Sequence, residues 1–251
     1  MTYLQIWTGS PKLQPWVDLI DSYKNPHDEV DIAFIGKYVA HRDSYESLNE
    51  ALVHGGIANR LKVNLHYVDS ELLTEKNVLS KLEKMDGVLV APGFGERGME
   101  GKIFAIQIAR TKKIPFFGIC LGMQMAIVEF ARNVVGIEGA NSGESRPNHP
   151  ENVIDLMPEQ DGQEETGGTM RLGSQTTILE KGTSIAKIYN KTTISERHRH
   201  RYEVMNYFVP RFEEAGLTIS GRHPERNLVE TIELAEHPWF IGCQYHPELQ
   251  S

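Results

Sequence analysis

Residues 118–122 read Gly118-Ile119-Cys120-Leu121-Gly122, a nucleophilic side chain with a glycine two positions away on each side. Glycines so placed let a chain make the sharp strand-to-helix turn that pushes the central side chain into a site. A cysteine at the amino end of a helix is favoured as thiolate by the helix dipole. A free cysteine is otherwise most often a small buried core residue. The glycines, the apolar run before them and the helical pattern after them make Cys120 a candidate nucleophile.

A nucleophilic thiol needs a base within hydrogen-bond reach, and the base needs a third group to hold its ring. Of ten histidines, His246 stands out because it follows an apolar strand-like run and leads into Pro247-Glu248. Residues two apart in extended chain face the same side, so Glu248 is placed to orient the His246 ring. Such a base is expected to ionise near neutrality. A second His-Pro-Glu triplet, His223-Pro224-Glu225, follows Gly221-Arg222 and enters a polar stretch, so it reads as a loop. Acyl transfer at Cys120 builds a tetrahedral oxyanion, which needs backbone N–H donors. The Leu121 N–H at the helix start is one candidate. The other is Gly93, in the glycine-bearing turn after another strand; Pro92 beside it has no N–H to give.

Other chemistries lack their motifs. There is no Cys-x-x-Cys pair and no His-Glu-x-x-His segment for a metal. His198 and His200 are flanked by arginines, which would repel a cation. No phosphate-binding Gly-x-x-x-x-Gly-Lys-[Ser/Thr] loop occurs. Residues Gly93-Phe94-Gly95-Glu96-Arg97-Gly98 match Gly-x-Gly-x-x-Gly only formally.

These residues need a scaffold that brings strand ends together. Strands are expected over Val30–Ile35, Lys62–Val68, Gly87–Ala91, Ile114–Ile119 and Trp239–Tyr245. Helices are expected after Asp43 or Ser44 (apolar positions Tyr45, Leu48, Leu52 and Ile57), over Ile103–Ala109 and over Met123–Arg132. The alternation predicts an α/β fold with a mostly parallel central sheet, helices on both faces and a smaller antiparallel region (Thr176–Leu179, Leu217–Ser220, Leu228–Leu234). Ligands of such sheets sit beyond the carboxyl ends of the strands. The turn at Gly93, Cys120 and His246 all fall there. Residues 141–168, rich in glycine, proline and acids, read as a long irregular loop. Residues 1–24 read as a linker or remnant without function, and 25–251 as one domain.

The net charge of −8 disfavours a nucleic-acid surface. The basic run Arg197-His198-Arg199-His200-Arg201 reads first as a solvated face. No stretch approaches a membrane-spanning run. Two cysteines, Cys120 and Cys243, suit a reducing compartment, so a cytoplasmic location is expected.

The segments Gly118-Ile119-Cys120-Leu121-Gly122-Met123-Gln124 and Tyr245-His246-Pro247-Glu248 resemble the class I (triad) glutamine amidotransferases. More narrowly, six further segments resemble the glutaminase domain of CTP synthase. These are Ile35–Tyr38, Gly93–Gly98, Ala140–Ser142, Val153–Glu159, Gly167–Gly173 and Glu196–Val204, and the likeness runs from about Val30 to the end. The resemblance implies hydrolysis of L-glutamine through a γ-glutamyl thioester on Cys120. It also implies glutamine contacts from Gly93, Leu121, Gly122, Met123, Gln124, Glu144 and Arg201. A carboxylate such as Glu144 suits the α-ammonium, and Arg201 suits the α-carboxylate. The implied partner is a covalently linked synthetase domain, absent here, that uses the ammonia to convert UTP to CTP in a homo-oligomeric enzyme. ATP and magnesium are implied for that domain, and no cofactor for this one. Two positions depart from the family's usual pattern: Ala91-Pro92-Gly93 stands where Pro-Gly-Gly is usual, and Ser145 follows Glu144 in place of Phe. The competing readings are a γ-glutamyl peptidase of the same fold and a non-catalytic regulatory module.

Overall fold

The computed structural model describes residues 12–39, 42–156 and 170–251. Its main sheet has nine strands in the order β2-β1-β3-β4-β12-β11-β10-β7-β8. The first five are β1 (Asp28–Gly36), β2 (Leu61–Asp69), β3 (Gly87–Val90), β4 (Phe116–Ile119) and β12 (Phe240–Cys243). All four pairings among them are parallel. The sheet continues antiparallel through β11 (Val229–Leu234), β10 (Leu217–Arg222), β7 (Arg171–Leu179) and β8 (Thr193–His200). The expected α/β class, parallel strands and antiparallel region are therefore present, the last as an extension of the same sheet.

Side chains alternate across the strands, and each face builds its own core. Ala33, Ile35, Val88, Val90 and Phe116 pack with α4 (Met99–Lys112) and α5 (Leu121–Phe130). On the other face Phe34, Leu89, Ile119, Ile241 and Tyr245 pack with Leu48 of α2 (Glu46–Asn59) and Ile185 of α6 (Ser184–Tyr189). Every residue of α5 is buried. A helix apolar all round suits an interior position, and each large side chain so buried contributes roughly 1.5–3 kcal/mol. The helix that carries Cys120 at its start is thus among the best-anchored elements of the molecule.

Four details differ from the sequence reading. The helix α2 starts at Glu46, after a 3₁₀ turn over Arg42–Tyr45; neither Asp43 nor Ser44 caps it, since Tyr45 holds that position with no side-chain cap bond. A helix, α1 (Gln14–Lys24), lies in the segment read as a linker, with none of its residues buried. The stretch from Asn141 is not wholly irregular: β6 (Asn152–Asp155) lies between β5 (Asn141–Ser142) and β9 (Glu203–Val204) and pairs with both in a small second sheet. Residues 157–169 of the expected loop lie outside the described residues. The basic run falls at the end of β8, with Arg201 just beyond it, and only alternate side chains of it face solvent. Glu196, His198 and His200 are buried, and Arg197 and Arg199 point outward.

Candidate active site

Cys120 joins β4 to α5 with φ 53° and ψ −105°, a conformation that costs an L-residue about 1–3 kcal/mol and persists only where its surroundings impose it. Gly118 and Gly122 are the reason the chain can turn there. A Cβ on Gly118 would come within 2.8 Å of the Gly122 carbonyl carbon, and one on Gly122 would collide with the carbonyl oxygen of Val90. The elbow is therefore locked against β3, and the Cys120 N–H is tied to the Cys243 carbonyl at 2.7 Å.

That last bond is where the base enters. Strands β4 and β12 run side by side, with Cys243 opposite Ile119. The chain leaving β12 therefore passes Cys120, and the His246 N–H is held by the Arg197 carbonyl at 2.8 Å. His246 Nδ1 donates to Glu248 Oε1 at 2.8 Å, and its buried Nε2 has no hydrogen-bond partner among the described residues, with Cys120 near enough to act on the ring's charge. Burial works to lower the His246 pKa. Cys120 and the hydrogen-bonded Glu248 outweigh it and push the value up to about 10. That lies above the near-neutral ionisation expected of an isolated base.

The turn at Gly93 lies beside the elbow. A Cβ on Gly93 would stand 3.6 Å from Leu121 Cδ2 and 3.7 Å from Lys102 Nζ. Leu121 and Gly122 open α5, and first-turn N–H groups have no partner within their own helix. Three side chains hold the turn. Lys102 Nζ donates to the Ala91 carbonyl at 2.8 Å, Lys37 Nζ donates to the Phe94 carbonyl, and Glu144 Oε1 accepts from the Gly95 N–H at 2.6 Å. Lys102 is fully buried. Burial first, and then the charge of Lys37, lowers its pKa to about 7, with Cys120 and Glu144 opposing. Lys37 falls in the Ile35–Tyr38 segment of the resemblance without a role assigned to it, and Lys102 lies in no segment that carried a signal.

Gln124 reaches from α5 to the Tyr202 carbonyl at 3.0 Å and to Gln244 Oε1 at 3.1 Å. Arg201 and Glu144 both act on the Tyr202 phenol, whose pKa burial raises; Glu144 adds to the rise and Arg201 opposes it. Of the residues expected from the resemblance, Gln124 joins Gln244 beside the Cys120 sulfur and Glu144 holds the turn at Gly93, while Arg201 is placed only near Tyr202. His223-Pro224-Glu225 does not join them; it forms a turn beyond β10 in which His223 Nδ1 accepts from the Arg226 N–H at 3.2 Å. A cleft of about 700 Å³ opens over the site, lined by Gly93, Phe94, Arg197, Arg199, His246 and Glu248 among others. The Arg199 guanidinium lies 5.5 Å from the Phe94 ring centre across it. Behind β8, His198 Nδ1 and His200 Nε2 hydrogen-bond each other at 2.9 Å. Arg171 is shared between Glu203 (3.1 Å) and Glu230 (2.8 Å). Among the described residues no group of three or more His, Cys, Asp or Glu side chains is placed to hold a metal ion.

The family model of glutamine amidotransferase class-I matches residues 40–251. The chain belongs to the class-I glutamine amidotransferases. A Trypanosoma brucei CTPS glutaminase domain, solved with bound acivicin, superposes on this amidotransferase with a TM-score of 0.79 at 38% identity, over 88% of this chain and 86% of that one. A Thermotoga maritima glutamine amidotransferase shares the fold at 14% identity and a TM-score of 0.51, over 87% of this chain and 76% of that one. The CTP synthases of Syntrophus aciditrophicus and Geobacter metallireducens are 53% and 54% identical over 99% of this chain. The match takes up 46% of each of them, so the amidotransferase spans about half the length of these relatives. It is homologous to the glutaminase domain of CTP synthase.

Proposed function

We propose that the chain hydrolyses L-glutamine to glutamate and ammonia through a γ-glutamyl thioester on Cys120, with His246 as base and acid and Glu248 as orienter. The observation that carries this reading is the strained elbow at Cys120 facing the His246–Glu248 pair. The Cys120 thiolate attacks the γ-carboxamide carbon, and the Gly93 and Leu121 N–H groups receive the oxyanion. The His246 imidazolium gives its proton to the departing nitrogen, which leaves as ammonia. Neutral His246 then takes a proton from water, whose oxygen attacks the thioester carbon; the C–S bond breaks, glutamate departs and the thiol is restored.

In this reading Glu144 takes the substrate α-ammonium. One of its oxygens is already fixed by the Gly95 N–H, which presets the carboxylate. Arg201 takes the α-carboxylate, and Gly122, Met123 and Gln124 floor the pocket. The ammonia passes to a synthetase domain that aminates UTP to CTP with ATP and magnesium, in a homo-oligomer. The named CTP synthases, twice as long as this chain, support that step. Among the described residues no helix is long and apolar enough to cross a membrane.

Ammonia release from glutamine tests the proposal. Cys120→Ala is expected to abolish it while the fold is kept, and unchanged turnover would remove the assignment. A glutamine-analogue electrophile is expected to add one equivalent to Cys120 by peptide mass, and labelling at Cys243 alone would count equally against it.

A further inference from the structure

Gln244 precedes His246 by two residues where the chain bends away from β12, and both lie near Cys120. The Gln244 side chain is fully buried (0% exposed). A carboxamide persists in a protein interior only when its donor and acceptor ends are partnered. Its Oε1 accepts from Gln124 Nε2 at 3.1 Å, and its Nε2 lies 3.7 Å from Cys120 Sγ.

The direction of this chain of bonds is set at its far end. Gln124 Nε2 also lies 3.0 Å from the Tyr202 carbonyl oxygen, an atom that only accepts. Gln124 must therefore turn its NH₂ toward Tyr202. The second N–H of that same group faces Gln244, which must answer with its oxygen. The Gln244 NH₂ is then left facing the sulfur. Turning either amide over would set two donors or two acceptors against each other in a site closed to water, which is costly.

We propose that Gln244 is a further catalytic residue: it donates an N–H to the Cys120 sulfur and stabilises the thiolate that attacks the substrate. The Tyr202 carbonyl fixes its orientation through Gln124. The proposal rests on Cys120 being the nucleophile. A backbone group at the sulfur, the Arg199 carbonyl at 3.9 Å, accepts a thiol proton and offers nothing to a thiolate. The charged groups around the sulfur are His246 with Glu248 behind it, and Lys102 and Glu144 under the oxyanion turn. Gln244 is the neutral donor among them, so its hydrogen bond does not depend on any proton being gained or lost.

The test is the rate of Cys120 alkylation by iodoacetamide across pH, read by peptide mass so that Cys243 is scored separately. The chain is compared with Gln244→Leu and Gln244→Glu. Gln244→Leu is expected to slow alkylation at neutral pH about tenfold and to displace its pH profile to higher pH. Gln244→Glu, which keeps the size and the bond from Gln124 but sets a carboxylate against the sulfur, is expected to slow it further. Variants that melt like the parent and alkylate at its rate with its profile would overturn the proposal. Should neither variant fold, side-chain amide NMR of the parent decides. The Gln244 resonances are expected to titrate with the sulfur and to lose that titration in Cys120→Ala; resonances indifferent to the sulfur would overturn it. An unmodified chain in which Cys120 resists alkylation at every pH removes the nucleophile reading itself, whatever the variants do.

Discussion

The chemistry of the site is concentrated in two contacts of one imidazole. His246 is driven up to about 10 by Cys120 and Glu248 against the effect of burial. Loss of Glu248 removes one of the two groups that raise it. Glu248→Gln is therefore expected to move the alkaline limb of kcat/KM down from about 10 toward the ordinary histidine range, and to lower kcat by roughly 10²–10⁴-fold. A pH–rate profile checks both, and an unmoved alkaline limb would show that Glu248 does not govern this proton. Cys120, His246 and Glu248 were legible in the sequence because their types are chemically reactive and their neighbours are glycine and proline. Lys37, Lys102 and Gln244 were not. Lysine and glutamine are ordinarily surface residues, and only their burial shows that they serve the site.

At the scale of the element, the β4–α5 elbow depends on two glycines for different reasons. Gly118 clears the first turn of α5, and Gly122 clears a carbonyl of the central strand β3. That carbonyl belongs to a strand paired on both sides and has no room to retreat. Gly122→Ala is thus expected to destabilise by about 1–3 kcal/mol and to displace Leu121 enough to remove most glutaminase turnover. Thermal unfolding and ammonia release measure the two. The elbow was legible from spacing alone. The strand β8 was not, because its alternation runs between histidine or glutamate and arginine. After Ile194 its period-two burial is written in polar residues and gives no hydropathy signal, and the same residues on a surface would look identical. The strand β6 was missed for a related cause: it is four residues long and sits within a stretch of prolines, glycines and acids.

The molecule as a whole accommodates a dense polar core behind its reactive edge. His198 is buried beside Arg171, and burial first, then that charge, holds its pKa down at about 3; His200 is lowered for the same reasons. Below about pH 6.5 the unfolded chain takes up protons that these folded histidines refuse, so stability falls as pH drops from there toward 3. His198→Gln is expected to flatten that acid slope by about one proton, roughly 1.4 kcal/mol per pH unit, in guanidinium unfolding at several pH values. Arg171→Met would leave Glu203 and Glu230 buried without their shared cation and is expected to cost about 3–5 kcal/mol. The parallel sheet and its loaded strand ends were evident from the order of apolar runs. The composition of this core was not, because which charges are enclosed is decided by strands far apart in the chain.

The order of strands has one more consequence. The strand β12 follows all the others in sequence, yet it occupies the middle of the sheet, between β4 and β11. During synthesis on a ribosome, Cys120 emerges more than a hundred residues before His246, and until β12 inserts the sheet has no continuous centre. A nascent chain therefore carries the Cys120 thiol without the His246 imidazole until the sheet closes. Chains released before β12 would hold Cys120 without His246 and expose two unmatched strand edges, ready templates for pairing with another chain.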